Sequence, residues 1–535
     1  MPACHSNVTT QRAAHLPPLL PRYTPSHPAS PTARHSIVAY CLVAWLLLAA
    51  WPAVSAGENA PDQRFSRQTV IDLARQLSQS PFRPLPRAPE ALTSLDYSAY
   101  RQINYQQDEA VWGQSPTRFS VQLFAPGFLY DKLVNIDLVE NGRARPLTVS
   151  RDSFRVPDPA LAELLAEVGK YAGMRLHYPL NKADYDDEFL VFQGASFFRG
   201  VSRGQLYGLS ARGLAIDVAE PHGEEHPVFR RFWIERPAAD QDAMVVHALL
   251  DSERVTGAYR FGIYPGQPLR MDVEVTLFPR VYLPHVGLAP LTSMFMHGPA
   301  APGDRPDYRP AVHDSEGLAI KRANGERLWR PLSNPHTLQA SAFLDHNPAG
   351  FGLIQRNRDF NAYQDLEASY HRRPSAWVEP LGDWGPGQVQ LVEIPSDSEA
   401  NDNMVAYWRP ADGLPAGEPY RYAYRLTWPD DAPLEHGLAP VVRSAGGDKL
   451  FSEQREVMID WANSVDCANL SVDAGISEGR IIDTTLQTHP GIAGCRAFIA
   501  FDPGAAQAAE LRVMLLREDG RPAGETWLYR WLNDG

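Results

Sequence analysis

From Leu92 onward the chain runs in short stretches of Val, Phe, Tyr and Leu, each broken within a few residues by Gly, Pro, Asn or Asp. Phe119–Phe124 and Phe189–Phe192 are examples, and Met271-Asp-Val-Glu-Val-Thr-Leu-Phe278 is the clearest. In that last segment apolar and polar residues alternate, so neighbouring side chains go to opposite faces and only one face suits a core. A chain punctuated this often has no room for many long helices. Only Phe65–Gln79 has strong helical spacing, with Val70, Leu73, Ala74 and Leu77 on one side, Ser66 as N-cap and Pro81 beyond the end. Pro159–Val168 is a second helix candidate. The pattern predicts a mainly β protein.

With 535 residues and a hydrophobic fraction of 44%, the chain is globular and long enough for more than one core. The turn-rich segment 411–419 separates a large N-terminal β-sandwich, expected over 57–410, from a smaller unit over 420–535. Beyond the linker, Tyr420–Trp428, Val457–Trp461, Ala497–Phe501, Glu510–Leu516 and Glu525–Trp531 read as regularly spaced strands, which suggests an immunoglobulin-like sandwich. No internal repeat stands out.

Ile37–Trp51 is almost wholly apolar, follows Arg34-His35 and runs into Val54-Ser55-Ala56. This is the pattern of a secretory signal, with the leader ending near residue 56 and an uncleaved anchor as the alternative. The leader carries Arg12, Arg22 and Arg34 and no acidic residue, so its removal leaves 47 basic against 63 acidic residues, near −16. A surface this acidic excludes nucleic acid as the main partner and suits a neutral polymer. Of the 4 cysteines, Cys467 and Cys495 lie beyond the leader and are candidates for a disulfide or for two buried thiols.

Two motifs are decoys. Gly200-Val-Ser-Arg-Gly204 spells a nucleophile elbow, yet strand-like segments flank it where a helix should follow. His222-Gly-Glu-Glu-His226 lies between Pro221 and Pro227 and lacks the HExxH order of a zinc helix. No metal or cofactor motif is present.

Chemistry concentrates between Ala289 and Trp408, where carboxylates, arginines and aromatic rings are interleaved with Gly and Pro at neither helical nor strand spacing. Polar clefts built on loops have this composition, and rings with polar edges beside arginines and carboxylates suit sugars. Glycoside cleavage needs a carboxyl that protonates the leaving oxygen and a second group that activates water or attacks. Asp314, Asp359, Asp365, Glu367, Glu379, Asp383, Glu393, Glu399 and Asp402 are the carboxylates on offer. Local context favours two. Asp314 sits in a loop between strand-like segments, and Asp402 stands at the head of the apolar strand Met404–Trp408.

Long, mutually ordered segments resemble the osmoregulated periplasmic glucan biosynthesis proteins G and D. They include Phe192-Gln-Gly-Ala-Ser-Phe-Phe-Arg199, Tyr207–Asp217, Thr256–Phe261, Ala289–Phe295, His313-Asp-Ser315, Arg372-Arg-Pro-Ser375, Asp402-Asn403 and Glu525–Tyr529. The resemblance spans about Gln63 to Trp531. It implies a large sandwich carrying a cleft, a smaller immunoglobulin-like domain, a periplasmic location and linear β-1,2-glucan as ligand. It also implies an inverting glycoside hydrolase-type site, with Asp402 as general acid and Asp314 as general base acting through a proton relay. Tyr370 and Glu399 fall on positions for the relay or for substrate positioning. Trp329, Trp377, Trp384 and Trp408, with Arg372, are candidate sugar contacts, the tryptophans being equally suited to a core. The loops 361–369 and 396–401 depart from the family pattern, which leaves open whether water or a sugar hydroxyl attacks, and so whether the enzyme hydrolyses, transfers or cyclises. The competing expectations are a non-catalytic glucan-binding partner of an inner-membrane glucosyltransferase and a structural module binding envelope proteins.

Overall fold

The computed structural model describes residues 64–303, 306–433, 437–452, 454–462 and 466–533. The leader and its cleavage site lie outside them. The described residues are mainly β, as expected. A ten-stranded sheet and a fourteen-stranded sheet carry most of the strands. The two sheets share one large core, with Leu176, Phe192, Leu291 and Trp408 from the first meeting Phe232, Phe261, Val273 and Leu426 from the second.

The alternation in Met271–Phe278 places its strand as expected. In Leu269–Pro279, Met271, Val273, Val275 and Leu277 are buried in that core. On the opposite face Asp272 accepts from Arg425 at 2.7 Å, and Glu274 accepts from Arg260 at 3.0 Å. The helix Arg67–Ser78 covers part of this outer face, packing Val70, Ile71 and Ala74 against Trp233, Leu249 and Phe278. The Ser66 backbone N–H donates to Thr69 Oγ1 at 3.1 Å and satisfies one group at the start of that helix. Pro159–Val168 is also helical, capped by the Asp158 carboxyl and closed by Gly169 in the left-handed region.

The expected division at 410 needs correction. Tyr420–Trp428 pairs on one side with Leu269–Pro279 and on the other with Ala376–Leu381, inside the fourteen-stranded sheet. Its alternate residues Tyr422, Tyr424, Leu426 and Trp428 are buried in the main core. Segment 411–419 therefore connects two sheets of one sandwich. Leu414 within it is buried and exchanges backbone hydrogen bonds of 2.9 Å with Leu283. Turn residues announced a connection there, but not which sheet would receive the next strand.

The second core takes Ala319, Trp329, Ile354 and Trp377 from the larger sheet and is completed by strands from Val441 onward. Val441–Asp448, Arg455–Trp461, Gly494–Asp502 and Arg480–His489 form a four-stranded sheet in that order. Leu470–Ile476, Ala508–Arg517 and Thr526–Leu532 extend the larger sheet, joined to it where Trp329 pairs in parallel with Trp527. Val457, Ile459, Trp461, Ile499, Val513 and Leu515 are buried in this second core. Cys467 and Cys495 form a disulfide, with Cα atoms 5.8 Å apart.

Candidate active site

Strand pairing sets the site. Ser210–Arg212, Val286–Ser293 and Met404–Pro410 lie side by side in the ten-stranded sheet, with Ser210 opposite Thr292 and Ser293 opposite Met404. The preceding strand Phe197–Gly200 pairs with Ser210–Arg212 and supplies Arg199. Asp402, just ahead of its strand, therefore meets Ser210 and Arg199. Ser210 Oγ and Arg199 Nη2 each lie 3.4 Å from Asp402 Oδ2, while Arg199 Nε donates to Ser210 Oγ at 2.6 Å. The neighbouring Asn403 locks the turn, accepting from Phe295 N at 2.9 Å and donating to Phe295 O and Ile394 O at 3.0 and 3.1 Å.

Asp314 arrives from the loop after Val312–His313, where its backbone N–H donates to Met294 O at 2.8 Å. Its carboxylate is buried, 4% exposed, and accepts from the Arg373 guanidinium. Burial pushes the Asp314 carboxyl up to about 6, and the nearby Asp402 charge adds to this, while Arg373 and Arg199 pull the other way. Gly208 gives Arg373 its path: a Cβ there would lie 2.9 Å from the Arg373 Cβ. The adjacent His313 is buried and its imidazole is held down to about 4, mainly by desolvation. Its Nδ1 contacts Gln355 Oε1 at 2.8 Å, and the Gln355 amide donates to His313 O and Tyr370 O, clamping the two loops together.

Tyr370 donates its hydroxyl to Glu399 Oε2 at 2.9 Å. Burial, then this bond, raises the Tyr370 phenol above its ordinary range. Arg309 Nη1 donates at 2.9 Å to both Glu399 Oε2 and Asp365 Oδ2, and its Nη2 donates to Asp307 at 2.9 Å. The 396–401 loop is thereby tied to the 365–370 segment by one guanidinium. Arg373 closes the circle, with its Cζ 4.5 Å from the Tyr370 ring centroid.

This arrangement carries two carboxyls of different environment in one neighbourhood, with a phenol and a third carboxylate beside them. Acid–base work on a polar substrate is the chemistry it permits.

Residues 65–531 match the family described as "Periplasmic glucan biosynthesis protein, MdoG". The chain belongs to this family. It is 57% identical over 484 residues to Glucans biosynthesis protein G 2 of Shewanella oneidensis, covering 89% of this chain and 91% of that one. It is 48% identical over 475 residues to Glucans biosynthesis protein G of Vibrio cholerae, covering 87% of each chain. A third such relative, from Rhodopseudomonas palustris, is 46% identical over 495 residues, covering 92% of this chain and 98% of that one. The matched range contains Arg199, Ser210, Asp314, Tyr370, Arg373, Glu399 and Asp402, so the whole constellation lies inside the family's shared segment.

The structure brings together Asp314, Asp402, Tyr370 and Glu399, ties Asp365 to Glu399 through Arg309, and encloses the candidate tryptophans in the two cores. Trp384 and Trp408 are buried in the main core, and Trp329 and Trp377 in the second. The expectation of sugar platforms is corrected for all four: indoles closed off by other side chains offer no face to a ligand. Arg372 is exposed and donates to Gly204 O at 3.0 Å, whereas its neighbour Arg373 reaches Asp314. Sequence reasoning missed Arg199, Ser210 and Arg309 as site residues. Arg199 and Ser210 did stand inside segments that carried the resemblance.

A cleft of about 930 Å³ is lined by Pro395, Ser396, Asp397 and Asn401 of the loop ahead of Asp402, and neither Asp314 nor Asp402 is among its lining residues. Ser202 of the elbow-like motif is buried and structural, donating to Trp428 O and accepting from Leu269 N at 2.8 Å. No helix among the described residues is long and apolar enough to cross a membrane.

Proposed function

We propose that this chain is a periplasmic enzyme acting within linear β-1,2-glucan, inverting the anomeric carbon as an endo-hydrolase or as a transglycosylase. The observation that supports it most is that Asp314 and Asp402 lie close enough for the charge of one to act on the other, in unlike surroundings. Asp314, held up to about 6 by burial, is ionised at neutral pH and still a stronger base than an ordinary carboxylate. Asp402 is partly exposed, with its side chain 24% accessible and only 3.4 Å contacts from Arg199 and Ser210. A glycosidic oxygen can displace such contacts and receive the Asp402 proton as the bond to the anomeric carbon breaks. The attacking oxygen, from water or a sugar hydroxyl, bonds to that carbon from the opposite face. Its proton passes to Asp314, with the Tyr370–Glu399 pair positioned for a relay or for holding the acceptor.

The test is a time course of residues 57–535 with linear β-1,2-glucan, wild type beside Asp402→Asn, with products resolved by mass and linkage. Shorter linear chains from wild type alone support hydrolysis. Products lighter by one water, or with a new linkage, support a cyclising transferase. Equal turnover by the variant removes Asp402 from the mechanism.

One observation favours a second reading. The relatives' names speak of glucan biosynthesis and of no reaction. A non-catalytic glucan-binding partner of an inner-membrane glucosyltransferase fits that, and binding without product in both samples would establish it over the enzyme.

A further inference from the structure

We propose that the cleft of about 930 Å³ between the main sandwich and the C-terminal four-stranded sheet is a second saccharide site, holding a neutral stretch of glucan away from the two aspartates. The ligand class rests on the function proposed above. Its size lies within the range of roughly 300–1,000 Å³ usual for ligand pockets.

The strand Thr526–Leu532 supplies the rings. Trp527, Tyr529 and Trp531 share one face by the period of two, and the strand leads that face from the second core out into the cleft. Trp527 is buried and stacks on Tyr529 at 5.3 Å between centroids, and Trp531 meets buried Phe501 edge-on at 6.5 Å. Tyr529 and Trp531 line the cleft and remain partly exposed. Rings fixed by packing on one side and open on the other are suited to the apolar faces of sugar units.

The polar walls favour a neutral ligand. Arg455 is engaged by Asp448, and Arg530 by Glu510 and by Gln339 Oε1 at 3.1 Å. Glu456 and Asp397 stand on the same walls. Charges of both signs, with the arginines already paired, give an anion no unopposed cation to bind. Hydroxyls need only donors and acceptors.

One wall of the cleft is the loop ahead of Asp402. Ser396 and Asn401 line it, and the same loop carries Glu399 and runs into Asp402. Asn334, also in the lining, holds Ser396 through both backbone groups at 2.8 and 3.0 Å and accepts from Asn403 Nδ2 at 3.3 Å. A chain resting there touches the loop that carries Glu399, while neither Asp314 nor Asp402 lines the cleft. Gly446 lies on the facing edge. A Cβ at that position would meet Ala300 O, Val457 and Tyr529 at ordinary contact distances of 3.5–3.8 Å, so a larger side chain would extend into the cleft.

The experiment titrates the full mature chain carrying Asp402→Asn with short and long linear β-1,2-glucan, alone and with Gly446→Phe or Trp531→Ala added. The expected result is a loss of about tenfold in long-chain affinity, some 1.4 kcal/mol, with short-chain affinity retained. Hydrogen exchange on the Asp402→Asn chain gives a readout that needs no cleft substitution: residues 444–447 and 527–532 should be protected by long chains and not by short ones. Glucan binding with no protection there and no change in the variants overturns this inference and leaves the catalytic proposal standing. An Asp402→Asn chain that binds no glucan overturns both.

Discussion

The Arg373 guanidinium donates to the buried Asp314 carboxylate while lying 4.5 Å over the Tyr370 ring. One cation thus opposes the desolvation that lifts Asp314 and also fixes the phenol beside it. Its removal should leave Asp314 harder to ionise. With Asp314 as base, activity should fall as pH drops through about 6, and Arg373→Gln should move that limb to higher pH. A pH profile of kcat/KM for both proteins checks this.

The same shift carries a stability signature. The folded Asp314 value of about 6 lies above the ordinary carboxyl range, so the folded state binds this proton more tightly than the unfolded state does. The resulting contribution to stability is complete below about pH 4 and is lost as pH rises through about 6. Asp314→Asn keeps an acceptor for Arg373 but cannot ionise. Its unfolding free energy relative to wild type, from denaturation at each pH, should therefore rise between pH 4 and 7 by an amount on the order of 2 kcal/mol. A difference that is flat or falling with pH would remove the buried ionised Asp314 from this picture.

Tyr370 and Glu399 act through one hydrogen bond of 2.9 Å, so their losses should not add. Tyr370→Phe and Glu399→Gln should each lower kcat by roughly 10²–10³, within the range of acid–base contributions, while glucan affinity changes little. The double variant should be no slower than the worse single one. Additive losses would mean that the two serve separate steps.

The β class was legible because the period of two in Met271–Phe278 is a property of neighbouring residues, as is the helical spacing around Val70 and Ala74. The site was legible only in part. Asp314, Asp402, Tyr370 and Glu399 emerged from local context and resemblance, but the groups that hold them come from far along the chain. Arg199 and Ser210 reach Asp402 across 203 and 192 residues, through strand pairings that no local pattern announces. Tryptophan misleads for a different reason: an indole suits a sugar and a core equally well, and enclosure by distant strands decides between them. Tyr420–Trp428 was assigned to the wrong unit because alternation marks a buried face without saying which core receives it.

That distinction is testable at Trp408, which is fully buried and packs near Trp384 at 6.5 Å between ring centroids. Trp408→Ala should cost about 3–5 kcal/mol of stability through lost burial and the cavity left behind. Chemical denaturation should show the loss, and the folded fraction of the variant should keep its glucan affinity. An affinity loss without destabilisation would return Trp408 to the ligand.

The second core is held to the first by a buried ion pair. Arg356 donates to Glu525 Oε2 and Oε1 at 2.7 and 2.8 Å, to Val441 O at 2.6 Å and to Asp431 at 3.1 Å, with its Cζ 3.9 Å from the Trp329 ring centroid. Glu525 also accepts from Val441 N at 2.9 Å, so one carboxylate joins the strand Val441–Asp448, the strand Thr526–Leu532 and the main sandwich. Breaking a buried pair leaves an uncompensated charge, which costs about 3–5 kcal/mol. Glu525→Leu should therefore destabilise by that order and should loosen the C-terminal sheet before the main sandwich unfolds. Replacing both partners, as in Arg356→Met with Glu525→Leu, removes the stranded charge and should recover much of the loss. Melting curves followed by hydrogen exchange on 441–448 and 526–532 separate the two outcomes. If the double variant is as unstable as Glu525→Leu, the bond to Val441 holds the units together and the ion pair does not.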